Sequence, residues 1–169
     1  KEKIDINIDN QTSNISTGIS YFKDSKSWLF NLNHYSNEIQ MYDLDEKTLY
    51  KSLKFNYEGD DGVGKIFGFH VHNLDSIFLF PQNQGTIYLT DTTQLIKKRI
   101  NYKIPEGHTP AFVLTSYFAS PPVVMKDKII VKTRPSFEYR SINNDELSST
   151  HFTFSVDLDD GEIVLLPHL

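Results

Sequence analysis

Apolar and polar side chains alternate one for one near the start of the chain, where Ile4, Ile6 and Ile8 are separated by Asp5 and Asn7. A period of two places every second side chain on one face, so 4–8 is predicted as a half-buried strand. Runs rich in β-branched and aromatic residues follow at 28–32, 38–42, 67–71, 76–80, 86–90, 128–133 and 152–156, each bounded by Asn, Asp, Gly, Ser or Pro. Such runs suit a pleated sheet, and the bounding residues suit turns. The segment 93–101, with Leu95, Ile96 and Ile100, fits a helix or a strand, and no other stretch has a convincing helical period.

Three segments superpose on one another: Ile39-Gln40-Met41-Tyr42-Asp43, Ile87-Tyr88-Leu89-Thr90-Asp91 and Thr153-Phe154-Ser155-Val156-Asp157. Each is a strand that runs into an Asp-led turn, with an apolar run before it and another after it, which is the pattern of an antiparallel meander. Asp43, Asp91 and Asp157 recur after 48 and 66 residues, against roughly 40 to 50 per unit in propeller repeats. A polar insertion at 135–150, between the second and third strands of the last unit, accounts for the excess.

The predicted fold is therefore all-β: a partial β-propeller of three four-stranded antiparallel blades at 18–57, 66–103 and 111–169. The leading strand within 1–17 is expected to pair into the last blade and close the ring. Propellers have about four to eight blades. Three would leave apolar faces and sheet edges open, so a remaining propeller half or a second chain is expected to cover them. The apolar ending Leu165-Leu166-Pro167-His168-Leu169 reads in the same way, as the end of a fragment.

Composition narrows the function classes. A hydrophobic share of 38% with 13% aromatics supports a packed core. The net charge of -5 is spread along the chain without a Lys/Arg run, so nucleic acid is not an expected partner. The absence of cysteine removes disulfides, thiolate nucleophiles and Cys-based zinc sites. No apolar stretch approaches the roughly 20 residues of a membrane-spanning helix, and Lys1-Glu2-Lys3 opens no signal-peptide pattern.

Three stretches together resemble a known group: Trp28-Leu29-Phe30-Asn31-Leu32-Asn33, Tyr42-Asp43-Leu44-Asp45, and Glu58-Gly59-Asp60-Asp61-Gly62-Val63-Gly64-Lys65-Ile66-Phe67-Gly68-Phe69 running into His72-Asn73-Leu74-Asp75-Ser76-Ile77-Phe78. The chain is similar over nearly its whole length to propeller-like lipoproteins of Bacteroides-type bacteria, a six-bladed type of unknown function. That resemblance implies a propeller fold, a parent about twice as long with a lipid anchor, and a place in the cell envelope as a periplasmic or outer-membrane protein. It implies no activity.

Few residues suggest chemistry. Glu58, Asp60 and Asp61 lie in a Gly-rich loop that lacks the Lys-Ser/Thr ending of a phosphate cradle and carries carboxylates that repel phosphate. Its glycines are expected to supply left-handed turns between blades. His70 and His72 share a strand face and could approach one metal, but the sequence places no third ligand beside them. The repeated aspartates are expected to stabilise turns. No catalytic or metal site and no cofactor is assigned.

Arg134, Phe137, Tyr139 and Arg140, at and just before the insertion, combine aromatic and Arg side chains of the kind that anchor interfaces. With Tyr35, Glu58, Asp60 and Asp61 they are expected to line the rim where the blade connectors lie. The expected function is a non-catalytic binding or scaffold module that presents this rim to a protein or glycan. The rival is a carbohydrate-active propeller enzyme in which two of Glu58, Asp60, Asp61, Glu106 and Glu138 converge to within about 10 Å.

Overall fold

The computed structural model describes residues 3–8, 10, 12, 18–82, 84–111, 113, 121–136 and 150–167. All regular structure in these residues is β, with no helix. Twelve strands form three antiparallel four-stranded meanders, each with its strands hydrogen-bonded in sequence order. Sheet one holds β1 (Ile19–Lys23), β2 (Ser27–Asn33), β3 (Glu38–Asp43) and β4 (Thr48–Lys54). Sheet two holds β5 (Ile66–Asn73), β6 (Ser76–Pro81), β7 (Thr86–Thr90) and β8 (Lys98–Asn101). Sheet three holds β9 (Val123–Met125), β10 (Lys128–Lys132), β11 (Thr153–Asp157) and β12 (Ile163–Leu165). The ambiguous segment 93–101 thus ends in a strand, and the insertion falls between β10 and β11.

Two hydrophobic clusters join the sheets. The first combines Phe30, Leu32, Ile39 and Met41 of sheet one with Phe69, Ile77, Leu79 and Tyr88 of sheet two. The second combines Phe78, Phe80, Ile87 and Ile100 of sheet two with Ile129, Val131, Phe154 and Val156 of sheet three. Strand β6 shows the logic most directly. Ile77 and Leu79 point one way and Phe78 and Phe80 the other, so an unbroken apolar run results because both faces of the sheet are buried. In β3 and β11, apolar residues dominate the face that meets sheet two, and polar ones such as Gln40 and Ser155 stand on the other.

The repeated aspartates hold turns. Asp43 Oδ1 accepts from Asp45 N and Glu46 N, both at 3.0 Å. Asp91 Oδ1 accepts from Thr93 N at 2.7 Å. Asp157 Oδ1 accepts from Asp159 N at 2.8 Å. Lys26 donates to the second oxygen of Asp43 at 2.6 Å, and Lys97 pairs with Asp91 at 3.0 Å. These bonds hold the carboxyls below their ordinary value of 3.8. The largest effect is the Lys26 bond for Asp43 and the Asp159 amide for Asp157. For Asp91 the Thr93 hydroxyl and the other bonds outweigh burial, which acts in the opposite sense.

The leading segment differs from expectation. Residues 3–8 join no sheet, and they lie against the first sheet rather than the last. Asn7 N donates to Lys47 O at 3.1 Å, while Ile6 and Ile8 border a cavity beside Ile19 and Leu29. Alternation specifies a face, but a strand also needs an edge to pair with, and here only Ile6 is half-buried while Ile4 and Ile8 stay 47% and 59% exposed.

Because β6 is buried on both faces, truncation on either should be costly. Leu79→Ala is expected to lose about 2–5 kcal/mol and Phe80→Ala about 3–5 kcal/mol in a urea titration followed by circular dichroism. A loss confined to one of the two would contradict the two-sided packing.

Candidate functional site: the connector rim

An antiparallel meander puts its second turn on the same side as the connectors to neighbouring sheets. Hydrogen bonds tie these segments into one rim. Asn37, in the β2–β3 turn, is fully buried and adopts a left-handed backbone (φ 55°), which Asn tolerates better than most residues. Its amide donates to Phe55 O (3.1 Å) and Gly64 O (2.9 Å), and its carbonyl accepts from Ile66 N (2.8 Å). One side chain therefore fixes both ends of the connector between the first two sheets. His34 adds a bond from Nδ1 to Ile66 O at 3.2 Å.

The same connector carries Glu58, Asp60 and Asp61, all exposed. Gly59 and Gly64 have φ of 95° and 72°, so the loop does use glycine for left-handed turns. Val63 is buried, and Arg99 Nη2 donates to Asp60 O at 2.7 Å, which pins the loop to β8. The three carboxylates decorate a folded connector.

The second connector, 102–111, meets the β10–β11 link. Tyr102 is buried and its hydroxyl accepts from Ala111 N at 2.8 Å; burial pushes that hydroxyl up to about 12. Thr109 donates through both its amide (2.8 Å) and its hydroxyl (2.9 Å) to Arg134 O. Thr133 Oγ1 donates back to Thr109 O at 2.8 Å. The ring nitrogens of His108 reach Glu106 O (2.9 Å) and His151 O (3.1 Å).

Where these parts meet, a cavity of about 180 Å³ opens between sheets two and three. Arg134 and Gln82 supply polar groups, Phe67 an aromatic one, and Thr109, Pro110 and Ala111 form the far wall. Of the expected rim residues, Arg134 lines this cavity and Tyr35 stands 81% exposed on the β2–β3 turn. Glu58, Asp60, Asp61 and Glu106 do not line it. Phe137, Glu138, Tyr139 and Arg140 lie outside the described residues.

His70 and His72 share the face of β5 that meets sheet three. Their rings are 6.5 Å apart, and His70 stacks on Phe78 with centroids 6.4 Å apart. Burial, with a smaller contribution from His72, pushes His70 down to about 4. Among the described residues no three metal-ligating side chains gather, and no helix is long and apolar enough to cross a membrane.

The model for a domain of unknown function, DUF4221, matches residues 1–168. The chain belongs to the DUF4221 family. A crystal structure of a DUF4221 member from Bacteroides vulgatus superposes with a TM-score of 0.81 at 21% identity, covering 96% of this chain and 45% of that one. A protein of unknown function from Bacteroides caccae superposes with a TM-score of 0.49 at 11% identity, covering 87% of this chain and 47% of that one. No curated protein matches the chain. At 21% identity the Bacteroides vulgatus likeness carries the DUF4221 fold alone, and this chain spans less than half the length of either structure.

Asn37→Ala removes three bonds from buried backbone groups and is expected to cost about 3 kcal/mol. Asn37→Asp keeps the acceptor for Ile66 N but turns a buried carboxylate oxygen towards Phe55 O and Gly64 O, so it should cost at least as much; a much smaller loss would show that the amide donors matter little. Acid gives a second test. An unfolded histidine binds its proton near pH 6.5, whereas folded His70 does so near 4, so stability should fall as pH drops through that window. His70→Phe should remove part of this slope in thermal melts from pH 7 to 4. A contribution from His34, which is lowered chiefly by its own burial, should persist.

Proposed function

We propose that the three sheets are successive blades of a β-propeller, and that the protein is a non-catalytic binding or scaffold module presenting the connector rim to a protein or glycan. The observation that carries this reading is the cavity between sheets two and three. It is walled by Arg134, Gln82 and Phe67 and held by hydrogen bonds that leave the connectors little freedom. A guanidinium beside an aromatic ring on a pre-formed concave surface is a favourable anchor for a polar ligand. The radial blade arrangement is supported by the equivalence of the repeat: residues 39 and 41, then 87 and 89, point from each sheet towards the next. The resemblance to Bacteroides-type lipoproteins supports a parent that is exported and lipid-anchored at the cell envelope.

Binding to immobilised neutral and acidic polysaccharides and to cell-envelope proteins tests the rim. Arg134→Ala, alone and with Tyr35→Ala, is expected to weaken the wild-type interaction at least about tenfold. Binding that survives both substitutions, or a wild-type protein that retains none of these ligands, would overturn the rim assignment.

A further inference from the structure

The cavity between sheets two and three is small, positively charged and rich in donors. At about 180 Å³ it falls below the roughly 300–1,000 Å³ of sites that enclose a drug-sized molecule. It therefore takes one ring or one side chain of a larger partner. Among the described residues that line it, Arg134 alone is charged, so no carboxylate borders it to oppose an anion. The guanidinium presents its N–H donors in a planar fork that matches a carboxylate. Its backbone is held in place, because Arg134 O accepts from Thr109 N at 2.8 Å and from Thr109 Oγ1 at 2.9 Å. Gln82 adds a side-chain amide on a backbone fixed by its own N–H, which donates to Lys65 O at 2.8 Å. Lys65 brings a second positive charge close by. His34 stands beside Phe67 with ring centroids 6.4 Å apart, and its proton affinity is lowered first by burial and further by the Lys65 charge.

The walls discriminate between classes of anionic partner. Pro81 and Pro110 line the cavity, and Pro135 follows Arg134 in the chain. Proline has no backbone N–H, so donors that an extended peptide uses when it adds to a sheet edge are missing at each of these points. An acidic peptide would have to rely on its side chain alone. The half-buried ring of Phe67 and the two proline rings offer a different kind of surface, aromatic and rich in C–H groups. A pyranose carries a patch of C–H bonds on one face, and their small positive charge is attracted to the negative face of an aromatic ring. A sugar ring that also bears a carboxylate thus meets both halves of the cavity.

We propose that this cavity takes a uronate residue of an acidic glycan, with the carboxylate held by Arg134 and Gln82 and one face of the ring laid on Phe67. The assignment rests on the connector rim being a binding surface, as proposed above, and narrows its ligand to one chemical class. Both seams of the cavity belong to sheets two and three, so the site is built entirely from strands and connectors already in place.

Calorimetric titration at pH 7 and low salt with the methyl glycoside of galacturonic acid, against that of galactose, tests the assignment. The uronate should bind at least about tenfold more tightly than the neutral sugar. Arg134→Met should abolish that advantage; Arg134 is exposed, and the variant keeps the backbone carbonyl that Thr109 bonds, so its circular dichroism spectrum should not change. Phe67→Leu should weaken the uronate as well. No binding of the uronate, equal binding of the neutral sugar or of galactose 6-sulfate, tighter binding of a glutamate tripeptide, or an affinity untouched by Arg134→Met overturns the uronate assignment. The rim is judged separately: polysaccharide or envelope-protein binding that is lost in Arg134→Ala with Tyr35→Ala sustains it even where the uronate fails.

Discussion

Everything in this structure depends on the double-sided burial of sheet two. A sheet with Ile77 and Leu79 on one face and Phe78 and Phe80 on the other must lie between two apolar layers. Sheets one and three supply those layers, and each turns its more polar face outwards. The middle sheet therefore sets the order of the stack, and the flanking sheets inherit their orientation from it. Close approach is part of the same packing. A Cβ on Gly68 would lie 1.8 Å from Val113 O, so glycine lets the chain beyond the second connector press on β5.

The strands were readable where hydrophobic alternation and turn residues coincide. The runs at 76–80 and 86–90 correspond closely to β6 and β7, and the three superposed segments are the third strands of three separate meanders. Turn chemistry was equally legible, because an Asp two residues before a backbone amide does the same job in each repeat. Two first strands carried little signal. Strand β9 has three residues and β1 is largely exposed, so neither shows a distinctive apolar run. The segment 4–8 failed in the opposite way: its pattern is clear, but pairing is a property of the neighbouring edge, which the pattern does not contain.

The rim was legible in outline only. That connectors and second turns share one side follows from antiparallel topology, and Tyr35, Glu58, Asp60, Asp61 and Arg134 do lie on those segments. Convergence did not follow. The cavity is built by Phe67, Gln82, Thr109 and Pro110 beside Arg134, and sequence alone gave no sign that these distant positions meet. Asn37 was missed although a clue existed: an Asn closing a short turn between two strands is a favoured occupant of the left-handed region. Bonds from side chain to backbone across 27 or 29 residues leave no periodic trace.

Asn37 has a practical corollary for engineering. Because a single amide fastens the β2–β3 turn to a connector more than a dozen residues away, that turn is a poor acceptor for transplanted loops unless the asparagine and its left-handed backbone travel with the graft. The outer turns near Asp43 and Asp157 satisfy their amides locally, so they are the better places to attach labels or tethers without loosening the opposite side of the molecule.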